Sequence, residues 1–317
     1  MVVQFLLVFA MPVITVALFL LSFSRSFGGT FFDTRAGADP LLWQHLFWIF
    51  GHPEVYILVL PSFGIVSEVL PVFSRKPLFG YKFVAISGAA IGFVGWGVWA
   101  HHMFASGLGP ISVLVFSMAT MMIAVPTGVK ILDWMATMWG GKITFNTPML
   151  FSAGLVAMFT VGGLSGVTHS IAPADTQQTD TYYIVAHFHY VLFGGSVLTI
   201  FAGLYHWYPK VTGRMYNEKL GKWHFWLTFL ALNATFFPMH YQGLEGMPRR
   251  VADYAPEFGW SNTVISIAAF VLGASTLIMV YNFIHSARHG KPAGANPWGS
   301  LTLEWQVSSP PPIFNFP

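Results

Sequence analysis

Long apolar stretches are the feature that most constrains how this chain can fold. A helix needs about 20 mostly apolar residues to cross the hydrocarbon core of a bilayer. Such stretches lie at approximately 2–24, 43–72, 83–104, 110–138, 147–170, 181–208, 222–243 and 260–286. The sequence therefore predicts an all-α fold, a polytopic transmembrane helical bundle of about eight spans.

The composition is typical of a membrane protein and limits the kinds of metal site that the chain can form. Only 9% of the residues are charged and 55% are hydrophobic, whereas soluble domains carry about 25% charged residues. The net charge of +3 is too small to indicate nucleic-acid binding. The chain has no cysteine, which excludes disulfides and thiolate metal sites, so a metal ion would need His, Asp or Glu ligands.

No linker divides the chain, so we expect a single membrane-embedded catalytic domain over residues 1–317. The segment 291–317 is rich in Pro, Gly and Ser and is interpreted as an irregular tail. The first apolar stretch lacks a basic start and a small-residue cleavage site, so we interpret it as a span and not a signal peptide. Most loop Lys and Arg residues fall on the side of both termini, which predicts a cytoplasmic C-terminus.

The segment "IFGHPEVYIL" places three polar residues, His52, Glu54 and Tyr56, within one apolar stretch. A charged group at mid-membrane costs about 2.5–3.5 kcal/mol on insertion scales, so such residues usually have a function. Tyr56 follows His52 by four residues and shares its helix face, where a phenol beside a metal-bound imidazole can donate a proton and an electron. Glu54 is turned about 200° away and is expected to be a protonatable relay group.

Five histidines lie in or next to predicted spans. His187 and His189 are about 200° apart on one helix and cannot share a metal ion, so "HFH" is expected to separate two different centres. His101 and His102 are adjacent and could converge with His52 on one ion, for which copper, zinc and iron are all suitable. The alternative is that each imidazole simply bonds a helix backbone or a neighbouring span, which five residues with two close pairs make less favourable.

Three further basic residues stand out. Lys130 is a lone ammonium inside the fourth span, just after Thr127, and is interpreted as a buried proton-pathway group, the alternative being a side chain that reaches back to the interface. Arg249 and Arg250 lie in a short loop on the less basic side. Paired arginines bind anions well, and the alternative is a solvated loop.

The chain closely resembles subunit I of the haem–copper oxidases, in the cytochrome c oxidase branch. The resemblance rests on "WQHLFWIFGHPEVYILVLPSFGIVSE", "VWAHHMFASG", "AVPTGVKILDWMATMWGG", "DTYYIVAHFHYVLFGG" and "GLEGMPRR", which occur in family order with family-like spacing. They extend from the family's fifth transmembrane helix to its twelfth. This similarity implies the catalytic subunit of a proton-pumping terminal oxidase that reduces O2 to water.

The resemblance implies two haems, of the A type, and one copper ion. The copper of the binuclear centre would be bound by His52, His101 and His102. The facing high-spin haem would take His187 as its axial ligand, and the low-spin haem would take His189.

The resemblance also implies roles in proton supply. Tyr56 would be covalently joined to His52 and would supply a proton and an electron when the O–O bond breaks. Glu54 would relay protons from one pathway, and Thr127 and Lys130 would line a second pathway that leads to Tyr56.

Around these centres, Arg249 and Arg250 would bind haem propionates, Asp175 would sit near those of the high-spin haem, and Trp48 would pack beside the copper site. Asp180 would be a ligand of a non-redox magnesium ion. Thr179 stands where the family usually has a histidine that helps bind that ion, so the usual form of the magnesium site is not expected.

The similarity implies partners as well: oxidase subunits II and III, cytochrome c acting through subunit II, O2 and the lipid bilayer of a prokaryotic plasma membrane. The family's first four helices, with the second ligand of the low-spin haem, have no counterpart here. We therefore expect a truncated reading frame or one piece of a split subunit, which alone would not hold that haem normally or pump efficiently.

Three other functions compete with this interpretation. A quinol oxidase of the same superfamily shares most of the motifs, although quinol oxidases tend to have Asn after the second His of "HFH", where this chain has Tyr190. A nitric oxide reductase would share the histidines but would be expected to lack Tyr56. A His- and Glu-lined metal-ion transporter has no use for a helix that separates two metal centres.

Overall fold

The computed structural model describes residues 1–315, and most of them are helical. In chain order the helices are α1 (Val2–Phe27), α2 (Leu41–Ser74), α3 (Tyr81–Val94), α4 (Pro110–Met138), α5 (Thr147–Ser170), α6 (Ala172–Gln178), α7 (Tyr182–Leu192), α8 (Leu198–Thr212), α9 (Glu218–Leu244) and α10 (Gly259–His289). Over these 315 positions the only β pairing is in two isolated bridges. The prediction of an all-α fold is confirmed.

Within residues 1–315, six helical stretches are long and apolar enough to cross a bilayer: Val2–Phe27, Leu41–Ser74, Pro110–Met138, Thr147–Ser170, Tyr182–Thr212 and Pro256–His289. The other two predicted spans are helical too. The stretch 83–104 is α3 followed by two 3-10 turns, and 222–243 lies within α9. The predicted spans therefore correspond one by one to helical segments of a multi-pass membrane bundle.

Two local breaks in helix geometry lie beside the predicted ligands. After α3, the glycine-rich segment tightens into the 3-10 turns Gly95–Gly97 and Trp99–Met103, since glycine disfavours an α-helix. Between α7 and α8, residues Phe193–Val197 form a π-helical turn. Such turns are rare and occur frequently at functional sites.

The chain divides into two compact units. The first comprises Met1–Pro61, Gly80–Ile131 and Gly163–Thr179. Within it, Val2 of α1 packs directly against Gly92 of α3, where a larger residue would not fit. Its fully buried apolar side chains include Leu6, Ala10, Ile91, Val98 and Met103.

The second unit comprises Ser62–Phe79, Leu132–Gly162 and Asp180–Pro317. Polar side chains join its helices: the Tyr190 hydroxyl donates to Asn233 Oδ1 at 2.7 Å, and the hydroxyls of Thr228 in α9 and Ser275 in α10 lie 2.8 Å apart. In a membrane, contacts between apolar helix surfaces are no more favourable than contacts with lipid tails. Hydrogen bonds between helices therefore help the helices to associate.

The segment 291–315 follows an irregular path, and one lysine makes three of the hydrogen bonds that hold it in place. The ammonium of Lys210, at the end of α8, donates to the carbonyl oxygens of Ala295, Val307 and Ser308 at 2.9, 2.8 and 3.2 Å. The lysine is 5% exposed. A buried ammonium needs such acceptors, so these contacts hold the tail in place.

Candidate metal and cofactor sites

Three histidines of the first unit converge on one point. His52 Nδ1 lies 3.4 Å from His102 Nε2, and His101 Nε2 lies 3.0 Å from the same atom. All three nitrogens are within 4.8 Å of one another. His52 comes from the middle of α2, and the other two come from the 3-10 turn after α3. Three neutral imidazoles at this spacing can bind one transition-metal ion.

A threonine of α4 sets the protonation of one of these rings. Thr120 Oγ1 lies 2.9 Å from His101 Nδ1 and donates its own proton to the carbonyl of Phe116 at 2.6 Å. With that proton on the carbonyl, the hydroxyl accepts from His101 Nδ1, and the lone pair of that ring lies on Nε2, which faces the other histidines. Sequence reasoning did not single out Thr120, because it lies 19 residues from His101 in an apolar span.

Two aromatic rings flank the three histidines. The indole of Trp48 stacks on His102 with ring centroids 3.9 Å apart and planes at 14°. The phenol of Tyr56 meets His52 edge to face at 4.6 Å. Gly95 makes room for this phenol, because a Cβ there would lie 2.8 Å from a Tyr56 ring carbon. The structure thus brings both predicted aromatic residues to the histidine cluster.

The predicted proton-pathway residues are distributed differently. Helical spacing turns Glu54 away from His52, but its side chain is exposed and not buried as a relay carboxyl was expected to be. Lys130 is 3% exposed, and its ammonium donates to the carbonyl of Val84 at 2.6 Å. Thr127 donates to the carbonyl of Ile123 in its own helix. Lys130 is thus a buried group, not one that reaches the interface.

The two histidines of "HFH" lie in the second unit and meet different neighbours. His187 Nδ1 lies 3.0 Å from the carbonyl of Gly162 in α5. His189 Nδ1 lies 2.7 Å from the carbonyl of Val185 in its own helix. The His189 ring stacks on the Phe236 ring of α9, with ring centroids 3.9 Å apart. Each Nδ1 donates to a carbonyl, which is the usual partner of a metal-binding imidazole.

A cavity of about 360 Å³ adjoins His189. Its walls combine apolar and aromatic side chains with two guanidinium groups: Tyr182, Val185, Phe188, His189, Phe236, Met239, Arg249 and Arg250. Flat apolar walls, an imidazole and paired arginines suit a planar, amphipathic ligand with carboxylates, such as a haem. The residues present therefore fit the cofactor that the sequence predicted at His189.

One of these arginines already binds a carboxylate of the chain. Arg249 donates through Nε and Nη2 to Asp180 Oδ1 at 3.1 and 3.0 Å, and its backbone N–H donates to the carbonyl of Asp180 at 2.8 Å. Arg250 lies 3.9 Å from the same carboxylate. Asp180 and Arg250 both have positive φ, at 59° and 63°, so this corner has an unusual backbone.

The predicted propionate residue Asp175 belongs to the first unit and is buried, with 4% of its surface exposed. His169 Nδ1 lies 3.3 Å from Asp175 Oδ1. Sequence reasoning did not single out His169. A lone histidine at the end of a span gives no local signal of a buried carboxylate partner six residues later.

Known proteins resemble this chain over most of its length. A family model described as "Cytochrome C and Quinol oxidase polypeptide I" matches residues 1–291. The chain is 55% identical over 305 residues to cytochrome c oxidase subunit 1 of Thermostichus vulcanus, which covers 96% of this chain and 55% of that protein. It is 50% identical over 314 residues to the protein of the same name from Bacillus sp. strain PS3, covering 98% of this chain and 51% of the relative.

A solved structure, described as a heme-copper terminal oxidase dimer, is similar in fold. The TM-score is 0.72 at 18% sequence identity, and the match covers 91% of this chain and 57% of that one. The chain thus spans about half the length of the curated relatives it matches.

Proposed function

Because the chain belongs to the cytochrome c and quinol oxidase polypeptide I family, we propose that it forms the catalytic core of a terminal respiratory oxidase. That enzyme reduces O2 to water with electrons from cytochrome c and moves protons across the membrane. Haem and copper supply, when bound, the redox chemistry of O2 reduction. The role of this chain is to bind these cofactors and to supply protons.

One observation carries the proposal: three imidazole nitrogens lie within 4.8 Å of one another inside a membrane bundle. His52, His101 and His102 would bind the copper ion, with Trp48 packed against the cluster and Tyr56 beside His52. A reductase for nitric oxide or a metal-ion transporter would have no need of this phenol one helical turn after a ligand.

The haems, of the A type, would be bound by His187 and His189. Hydrogen bonds from both Nδ1 atoms to carbonyl oxygens support this assignment, since they fix the orientation and the tautomer of each ring, as in metal-binding imidazoles. Arg249 and Arg250 line the cavity beside His189, where they would bind propionates. Asp175 would lie near the propionates of the haem on His187.

Protons would be supplied by a small set of groups. Tyr56 would be joined covalently to His52 and would hold a proton and an electron for O–O cleavage. Lys130 and Thr127 would deliver protons by one path and Glu54 by another. Each charge moved against the membrane potential costs about 2.3 kcal/mol per 100 mV, so these groups must change their protonation state in a controlled order.

We further propose that the chain works in a prokaryotic plasma membrane with its C-terminus in the cytoplasm, together with oxidase subunits II and III. The names of the curated relatives support cytochrome c as the electron donor, and its electrons would arrive through subunit II. A quinol is the second candidate, because the matching family includes both kinds of oxidase. A magnesium ion on Asp180 is the least supported cofactor, since Arg249 binds that carboxylate.

Optical spectroscopy tests the proposal directly. The complex would be purified from its native membranes, and reduced-minus-oxidised spectra would be recorded with and without carbon monoxide, alongside metal analysis. We expect two haem signals, one of which shifts with carbon monoxide, and one copper ion at the histidine cluster for each copy of the chain, beyond any copper that subunit II holds. His102→Ala should lose the copper and keep haem absorption, whereas His285→Ala, an exposed residue at the end of α10, should change neither.

The absence of haem bands from the wild-type complex would refute the oxidase assignment. Turnover with reduced cytochrome c and with a quinol, compared on the same preparation, distinguishes the two electron donors.

A further inference from the structure

A groove of the first unit, formed by the end of α1 and the start of α2, is not used by the proposed oxidase chemistry. It is a cavity of about 400 Å³ lined by Leu21, Arg25, Phe32, Pro40, Trp43 and Gln44. We propose that this groove binds an anionic phospholipid, with the phosphate at Arg25 and the upper part of an acyl chain against the aromatic wall.

The position of the groove places it near the membrane surface. α1 has 26 residues and is about 39 Å long, which exceeds the hydrocarbon thickness of about 30 Å. Arg25 is in the last turn of this helix. Trp43 lies on the other wall of the groove, and tryptophan is enriched where lipid headgroups meet the acyl chains. A guanidinium at this depth lies at the level of lipid phosphates.

In the described part of the chain, the positive charge of Arg25 in the groove has no acidic partner. Within residues 1–315, no carboxylate lies within 4 Å of the Arg25 side chain. Arg35, in the same loop region, behaves differently, since its guanidinium donates to both carboxylate oxygens of Asp33 at 3.1 Å. A phosphate can accept two parallel hydrogen bonds from a guanidinium, so an anionic headgroup supplies the partner that Arg25 lacks.

The remaining walls suit an acyl chain. A row of aromatic rings runs from α1 across the loop to α2. The ring centroids are 6.1 Å apart for Phe23 and Phe31, 6.4 Å for Phe31 and Phe32, and 5.6 Å for Phe32 and Trp43. Beyond the groove, Phe19 on α1 is 66% exposed, so an apolar surface extends further into the membrane. A diacyl phospholipid satisfies both halves of the site, the guanidinium and the aromatic wall.

The test uses the purified complex in detergent, stripped of lipid and then supplied with phosphatidylglycerol, phosphatidylcholine or inorganic phosphate. Native mass spectrometry would count retained lipids, and thermal unfolding would report stabilisation. We expect phosphatidylglycerol to bind and to raise the midpoint of unfolding. Arg25→Gln should weaken this binding about tenfold or more, because it removes charge-assisted hydrogen bonds. Arg35→Gln, whose side chain is already paired with Asp33, should bind like the wild type.

Arg25→Lys keeps the positive charge and should retain part of the affinity for phosphatidylglycerol. This variant therefore distinguishes loss of the charge from a general folding defect at position 25. Three results would overturn the proposal: phosphatidylcholine binding as tightly as phosphatidylglycerol, stabilisation by inorganic phosphate alone, or unchanged lipid binding in Arg25→Gln. Crosslinking from a photoreactive residue at Trp43 to a polypeptide instead of to lipid would also reject it, since another protein segment would then fill the groove.

Discussion

The hydroxyl of Thr120 lies 2.9 Å from Nδ1 of His101 and determines which nitrogen of that ring faces the other two histidines. The hydroxyl proton is already donated to the carbonyl of Phe116, so His101 must be the donor in this contact. Nε2 then carries the lone pair of the ring and lies 3.0 Å from His102 Nε2. The histidine cluster is therefore prepared for a metal ion by a residue outside it.

Removal of this hydroxyl should weaken copper binding without unfolding the protein. We expect Thr120→Val to lower copper affinity roughly 10–100-fold, the usual effect of losing a hydrogen bond behind a metal ligand. Thr120→Ser should restore most of it. Thr127→Val is the matched control, because that hydroxyl bonds only its own helix. Copper retained against a competing chelator is the measurement, and equal retention in both valine variants would contradict the prediction.

A second prediction concerns two neighbouring glycines of α5. A Cβ on Gly162 would lie 2.9 Å from Val191 Cγ2 and 3.0 Å from the Val191 backbone nitrogen, and the Gly162 carbonyl faces His187. Gly162→Ala should therefore destabilise the protein by about 1–3 kcal/mol and reduce haem retention.

Gly163 provides the control for that substitution, since a Cβ there would meet nothing within 4 Å. Gly163→Ala should leave stability unchanged or raise it by up to about 1 kcal/mol, because alanine favours a helix. Thermal unfolding and haem absorbance per mole of protein are the measurements. Similar losses in both variants would mean that the close approach at Gly162 is unimportant.

A third prediction uses the contact between Gly95 and Tyr56. A Cβ on Gly95 would lie 2.8 Å from Cδ2 and 3.0 Å from Cε2 of the phenol, so Gly95→Ala should displace the ring from His52. The yield of the proposed Tyr56–His52 crosslink should fall. Mass spectrometry of the peptide that contains both residues measures it, because bond formation removes two hydrogen atoms. Gly97→Ala, which meets no atom within 4 Å, should keep the wild-type yield.

A fourth prediction addresses the C-terminal segment. Lys210→Met removes the ammonium that binds three backbone carbonyls of residues 295–308. Each such charge-assisted hydrogen bond is worth about 1.5–3 kcal/mol. Amide hydrogen exchange in 291–315 should accelerate, while the helices remain protected. Lys219→Met changes an exposed lysine and should have no effect. Unchanged exchange in Lys210→Met would show that the tail is held by other contacts.

The positions of the spans were predictable because each depends on local composition. About 20 apolar residues in a row must cross the bilayer as a helix, since lipid offers no partners for backbone groups. Even 83–104, which breaks into 3-10 turns after α3, was predicted as one span. The π-helical turn Phe193–Val197 was not predicted, because nothing in "FGGSV" distinguishes it from an ordinary α-helical turn.

At the candidate sites, the residue types of the ligands and the helix faces on which they lie were predictable from the sequence. The neighbouring residues that orient these ligands were not. The 200° separation of His187 and His189 follows from helix geometry alone, and the structure gives them different neighbours. The stacking of Phe236 on His189 depends on how α9 packs against α7. No short-range pattern encodes that packing.

The sequence by itself determined that the chain is a helical membrane bundle, which residues are expensive to bury, and how they are spaced along each helix. These properties are local, because a helix has a fixed rise and rotation per residue. Only the tertiary structure decided that Thr120 orients His101, that Gly162 accepts from His187, and that Lys210 holds the tail. Those contacts join residues distant in sequence and depend on the packing of side chains between helices, which no single segment specifies.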